Sequence, residues 1–82
     1  MWTVYTKNNC VYCDKAKHAL KGQQVEFKNV EENQEFFSEL LSRVPNARSM
    51  PQVFRGDDHI GGYNELQLLL DKEQLEAFGL SL

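Results

Sequence analysis

Scarcity sets the first bounds on this chain: two cysteines, two prolines and one tryptophan in 82 residues. No apolar run approaches the ~20 residues that a membrane-spanning helix needs. No repeat, linker or low-complexity stretch interrupts the sequence. Basic residues are outnumbered, nine against twelve acids, so there is no broad cationic footprint for nucleic acid. A weakly acidic globule still binds an anion where a few cations converge, so the placement of Lys7, Lys15, Arg43 and Arg48 matters more than the sum. No basic segment followed by an apolar stretch opens the chain, no secretory signal is seen, and a cytoplasmic location is expected. In that reducing compartment two thiols are not expected to act as a permanent staple. Length and a hydrophobic content of 41% fit a single domain over residues 1–82 with a modest core.

What is present is a closely spaced thiol pair, Cys10-Val11-Tyr12-Cys13. It follows the aromatic and β-branched run Trp2-Thr3-Val4-Tyr5-Thr6, read as a strand, and the polar loop Lys7-Asn8-Asn9. It opens a stretch read as helix from Asp14 to Lys21. At the mouth of a helix, Cys10 would sit near the unpaired N–H groups of the first turn, whose positive end favours a thiolate. Such placement lowers a thiol pKa from about 8.5 to between about 3.5 and 7.5. Asp14 opposes that shift with its own charge, so a milder depression is expected. Cys13, one turn further in and more covered, would keep its proton longer. Cys10 is therefore read as the attacking sulfur and Cys13 as the resolving one.

Three plainer readings compete. A structural bridge closing so small a loop removes little chain entropy. A closed zinc site wants four ligands, and His18 and His59 stand at no zinc-finger spacing from the pair. Two inert core thiols remain conceivable, but a lone Cys-x-x-Cys in a βα context favours redox chemistry.

Further along, Cys13, Ala16 and Leu20 fall on one helical face with Ala19 beside it, and Lys21-Gly22 reads as a helix stop. His18 is expected at the surface. Val25 to Val30 supplies a second strand, with Val25 and Phe27 on one face and Glu26 and Lys28 on the other, giving a βαβ unit with parallel strands. Asn33 caps a second helix whose stripe, Phe36, Phe37, Leu40, Leu41 and Val44, is expected in the core until Pro45 ends it. Gln52-Val53-Phe54-Arg55, a turn at Gly56-Asp57-Asp58, and His59-Ile60-Gly61 form an antiparallel hairpin. Asn64 reads as the N-cap of a last helix with Gln67 at its third position. Leu66, Leu69 and Leu70 would be its buried face, with a break at Asp71-Lys72 before Leu75, Phe78 and Leu80. The order βαβαββα implies an α/β sandwich, a four-stranded mixed sheet with helices on both faces.

Four segments together carry a family resemblance: Tyr5-Thr6-Lys7, Cys10-Val11-Tyr12-Cys13, Met50-Pro51-Gln52-Val53-Phe54 and His59-Ile60-Gly61-Gly62-Tyr63. In this order and spacing, over nearly all of the chain, the sequence resembles a glutaredoxin. The second and third segments are similar to those of small bacteriophage glutaredoxins. The resemblance implies a thioredoxin-like fold and a dithiol oxidoreductase that reduces protein disulfides and glutathione mixed disulfides, with glutathione as co-substrate and no bound cofactor or metal. It implies a glutathione groove in which Tyr12 offers its ring edge and hydroxyl, and Lys7 places a cation by the thiolate and the glutathione carboxylates. Met50 would pair its backbone with the glutathione cysteine beside a cis Pro51. Gly62 and Tyr63 would present N–H groups to the γ-glutamyl carboxylate. Asn64-Glu65 stands where two acids are common, so Glu65 is the candidate for the glutathione amino group. Ser49-Met50 replaces the commoner Thr-Val. Arg43 and Arg48 are candidates for the glycyl carboxylate.

The expected partners are glutathione and disulfide-bearing proteins, ribonucleotide reductase among those the resemblance allows, with no nucleic acid, no membrane and a monomeric state. One rival keeps the chemistry but takes electrons from thioredoxin reductase; such redoxins usually carry a Trp-Ser-Gly-Phe type corner where this chain has Ile60-Gly61-Gly62-Tyr63. Another is a non-enzymatic [2Fe–2S] carrier, a role more typical of members with one active cysteine.

Overall fold

The computed structural model of the chain describes residues 1–77. Its first strand, β1 (Trp2–Thr6), and its third, β3 (Gln52–Arg55), lie at the centre of a four-stranded sheet, with β2 (Val25–Asn29) and β4 (Asp58–Gly61) at the edges. β1 runs parallel to β2 and antiparallel to β3, and β3 runs antiparallel to β4. The helices are α1 (Val11–Ala19), α2 (Gln34–Arg43) and α3 (Tyr63–Ala77). The expected element order and mixed sheet are thus observed. No helix among the described residues is long and apolar enough to cross a membrane.

The alternation of β1 divides the core in two. Trp2 and Val4 point one way, joined by Val53, and bury Ala16 and Leu20 of the α1 segment and Leu66 of α3. Tyr5 points the other way with Phe54, and these cover Leu40 of α2 and Val30. The small Ala16, fully buried, lets α1 lie close to the sheet. The C-terminal end of β1 is paired with the N-terminal end of β3, Tyr5 opposite Gln52, so the chain passing into Cys10 lies beside the chain leaving Pro51.

Several sequence expectations are corrected. Helix α1 starts at Val11 rather than Asp14, because the sulfur of Cys10 serves as its cap, and it ends at Ala19, with Leu20 as C-cap, rather than at Lys21. Phe27 and Phe37 are exposed, at 40% and 41%. β2 is an edge strand with little to cover it, and it is Lys28 that turns inward to a carboxylate on α2. Asn64 lies inside α3, and the last helix runs unbroken through Asp71-Lys72. There Arg55 of β3 grips Glu73 with two hydrogen bonds, 2.6 and 2.9 Å, tying the second half of α3 to the sheet. Leu75 is 49% exposed, while Phe78 and Leu80 lie outside the described residues. Asn33 caps α2 as expected, accepting the Glu35 N–H, and His18 is exposed.

The α2 face also carries a charge cluster. Glu39 accepts hydrogen bonds from the Tyr5 hydroxyl and, at 2.6 Å, from Lys28 Nζ. The lysine amine beside it, then the tyrosine hydroxyl, hold the Glu39 carboxyl below its ordinary 4.5. Burial first, and then the bond to Glu39, raise the Tyr5 phenol. A depressed carboxyl stabilises the fold fully above its unfolded value and loses that contribution as pH falls through the folded one. Replacing Glu39 by Gln is expected to cost about 1 kcal/mol or less at neutral pH, since the carboxylate is partly solvated. In denaturant titrations the gap to the parent should close below pH 4.5; a gap constant with pH would mean that the charge plays no part.

Candidate active site

The loop after β1 is shaped by asparagines. Asn9 adopts the left-handed region, φ 52°, which Asn tolerates better than most residues. Asn8 donates its N–H to Glu31 Oε1 at 2.7 Å and accepts from Asn29 Nδ2 at 2.9 Å, so the loop is pinned to the turn after β2. This delivers Cys10 to the N-cap of α1 in extended conformation, where its Sγ accepts the Cys13 N–H at 3.1 Å. Cys10 is half-buried and Cys13 is 2% exposed. The two are joined as a disulfide, the oxidised member of the couple.

A second wall comes from Ser49-Met50-Pro51, with the Met50–Pro51 bond cis. The Met50 carbonyl oxygen lies 3.6 Å from Cys10 Sγ. The third wall is the Gly61-Gly62 corner. Gly61 has φ 124°, and a Cβ there would stand 2.8 Å from Glu65 Oε1, so a side chain is excluded by both conformation and space. Glu65 folds back onto the corner and accepts the Gly62 N–H at 2.8 Å. That one-sided half of a capping box makes Gly62, not Asn64, the cap of α3.

Between the walls lies a groove of about 250 Å³. Tyr12 and Tyr63 flank it, their rings 5.9 Å apart, and Lys15 Nζ stands 5.1 Å from one ring centre and 5.8 Å from the other. Met50, Pro51, Gly62, Asn64 and Glu65, all singled out in the sequence, line it too. Lys7 is exposed in the preceding loop and does not line the groove. Arg43 is directed elsewhere: its guanidinium lies 3.7 Å from the Phe54 ring centre and donates to Tyr5 Oη at 3.3 Å and to the Gly56 carbonyl at 3.1 Å, at the far end of β3. Arg48 is exposed, one residue before the groove-lining Ser49.

Sequence reasoning missed Ser49 as a wall, Lys15 above the tyrosines, and the Asn8–Asn29 pin. The Asn-Asn run before the first cysteine was the available signal for the last, since Asn side chains hydrogen-bond in loops and tolerate left-handed backbone.

An external thiolate meeting this pair reaches Cys10 first, because Cys13 is covered. Attack there breaks the S–S bond, forms a mixed disulfide on Cys10 and releases Cys13 as a thiolate that takes a proton from solvent; the reverse sequence oxidises the pair again. A reactive pair at the start of the first helix, beside an X-Pro wall on a sheet of this order, defines a thiol–disulfide oxidoreductase. A family model for glutaredoxin matches residues 2–60, and the chain belongs to that family. It is similar to the glutaredoxin of Neisseria meningitidis serogroup A, 34% identical over 78 residues that cover 92% of this chain and 91% of that protein. Among solved structures it resembles the glutaredoxin of Brucella melitensis, with TM-score 0.70 and 31% identity over 93% of this chain and 84% of the other. It also resembles NrdH-redoxin of Escherichia coli, described as glutaredoxin-like with a thioredoxin-like activity profile, with TM-score 0.67 and 31% identity over 83% and 90% of the two chains.

After reduction, iodoacetamide at neutral pH should label Cys10 at least about tenfold faster than Cys13, as mass mapping of the labelled peptides would reveal. Equal rates would remove the division of roles between the two sulfurs.

Proposed function

We propose that this enzyme reduces glutathione mixed disulfides and protein disulfides at the expense of glutathione. The observation that carries the reading is the groove itself, which begins at Tyr12, passes the Met50–Pro51 wall 3.6 Å from the reactive sulfur and ends at the Gly62–Glu65 corner. An extended peptide laid along it meets an unpaired backbone beside Met50, aromatic edges at Tyr12 and Tyr63, and helix-start N–H groups at its end.

The Cys10 thiolate attacks the glutathione sulfur of a mixed disulfide, forming a Cys10–glutathione bond while the substrate thiolate leaves and takes a proton. A second glutathione thiolate then attacks that sulfur, regenerating Cys10 and releasing glutathione disulfide. With a protein disulfide, Cys10 forms the mixed disulfide and Cys13 displaces the substrate, closing the pair. Two glutathiones reopen it, so two electrons pass from glutathione to substrate in each cycle.

In this reading Met50 pairs with the glutathione cysteine, and the Gly62-Tyr63 N–H groups receive the γ-glutamyl carboxylate. Glu65, with Asn64, takes the amino group. Lys7 and Arg48 supply positive charge for the carboxylates, a duty for which Arg43 is poorly placed. Ribonucleotide reductase is one protein disulfide it would serve, and it would act as a monomer in the cytoplasm.

The likeness to NrdH-redoxin favours a second reading, in which thioredoxin reductase recycles the pair. Turnover with glutathione and its reductase, against turnover with thioredoxin reductase alone, separates the two. Cys10→Ser should lower both activities by more than about a hundredfold, and Cys13→Ser should keep deglutathionylation while losing reduction of protein disulfides. If Cys13→Ser loses deglutathionylation as fully as Cys10→Ser, the proposed cycle is wrong.

A further inference from the structure

The Ser49-Met50-Pro51 wall has little secondary structure of its own, since it joins the end of α2 to the start of β3. Met50 packs on the second core, and a side chain outside the groove also holds the wall. Gln52, 9% exposed, donates from Nε2 to the Ser49 carbonyl at 2.8 Å. The Gln52 Oε1 lies 2.8 Å from His59 Nε2 on the neighbouring strand β4. A carbonyl oxygen only accepts, so the carboxamide is fixed with its nitrogen toward Ser49, and His59 Nε2 must carry a proton and donate to Gln52. The His59 ring is itself fixed by stacking on Phe54, centres 4.8 Å apart and planes 28° from parallel. Phe54 is 2% exposed in the second core.

From this geometry we infer that Gln52 and His59 form a positioning relay that holds the Ser49–Pro51 wall, and with it the Met50 backbone, where an extended substrate can pair with it. This rests on the groove reading given above. Neither residue touches the sulfurs among the described contacts, so the relay acts on binding rather than on the thiolate.

Two variants test it: Gln52→Leu removes both bonds at similar volume, and His59→Phe keeps a ring on Phe54 but removes the donor. For a glutathionylated peptide, KM should rise by about three- to tenfold in each, as loss of a net hydrogen bond implies. The kcat and the rate of Cys10 alkylation should stay within about twofold of the parent, because the cap of α1 is untouched. The double variant should be no worse than Gln52→Leu alone, because the two residues act as one unit. Unchanged KM in folded His59→Phe, or single effects that multiply in the double variant, would overturn the relay. Should Gln52→Leu fail to fold, His59→Phe at the protein surface decides alone. A parent that turns over only a peptide disulfide would refute the glutathione reading, and the same KM comparison on that disulfide would still decide the relay.

Discussion

The N–H of Cys13 reaching back to the sulfur of Cys10 ties the start of a helix to the oxidation state of the chain. The first amides of any α-helix lack internal partners, and an oxygen from Ser, Thr, Asp or Asn usually takes one of them. Here sulfur does so, at 3.1 Å. A disulfide sulfur or a thiol is a weak acceptor, whereas a thiolate is a charged one, so the cap strengthens once the pair is reduced and Cys10 is ionised. The reactive form of the enzyme is thus the form that this helix start suits best. For the amide to keep pointing at the sulfur, α1 must stay docked. Cys13 itself helps to seat it, together with Ala16 and Leu20, all nearly inaccessible to solvent.

The two layers of core divide the work of building the groove. The layer around Trp2, Val4, Val53 and Leu66 holds α1 and α3 on the same side of the sheet, which brings Tyr12 from one helix beside Tyr63 from the other. The opposite layer, around Tyr5, Phe54 and Leu40, contributes no groove residue through α2 itself. It reaches the groove where Met50 packs on it, and through Phe54, whose ring meets Tyr5 edge-on, Arg43 at 3.7 Å and His59 in a stack. An arginine that the sequence offers as a ligand for carboxylates is thereby spent on the scaffold, and a histidine with no partner visible in the sequence becomes a support for the X-Pro wall.

How much of this was legible follows from which signals are local. The strand before the thiols, the hairpin around Gly56, the Asn33 cap and the glycine corner each declare themselves in a few residues, and all were read. The start of α1 was misread because cysteine is not a usual cap residue. The start of α3 was misread because its cap is a glycine, and the informative residue, Glu65, sits three places later. The supposed break at Asp71-Lys72 failed because a charged stretch at the surface is no obstacle to a helix, and because Arg55, far away in sequence, holds Glu73. Phe37 was assigned to the core by helical periodicity and Phe27 was grouped with Val25, yet both are exposed, Phe27 because it lies on the edge strand β2. The Gln52–His59 contact depends on the register of β3 against β4, and the contacts of Arg43 on how α2 lies across β1 and β3, neither of which a local pattern reveals.

Glu65 brings the electrostatics of the groove to a single point. Among the described residues that line the groove it is the one formally charged side chain, and its carboxylate already occupies the Gly62 N–H. A ligand carboxylate arriving at that N–H therefore exchanges one anion for another, so the net gain from that contact is a difference between two hydrogen bonds to charged acceptors. The displaced Glu65 recovers the loss only if it finds a cation, and the amino group of a γ-glutamyl residue is a cation within a few bonds of the same carboxylate. On the glutathione reading proposed above, a zwitterionic end would be accepted where a plain anion is resisted. On that reading Glu65 would guard the helix start when the groove is empty and pair with the ligand's amino group when it is filled.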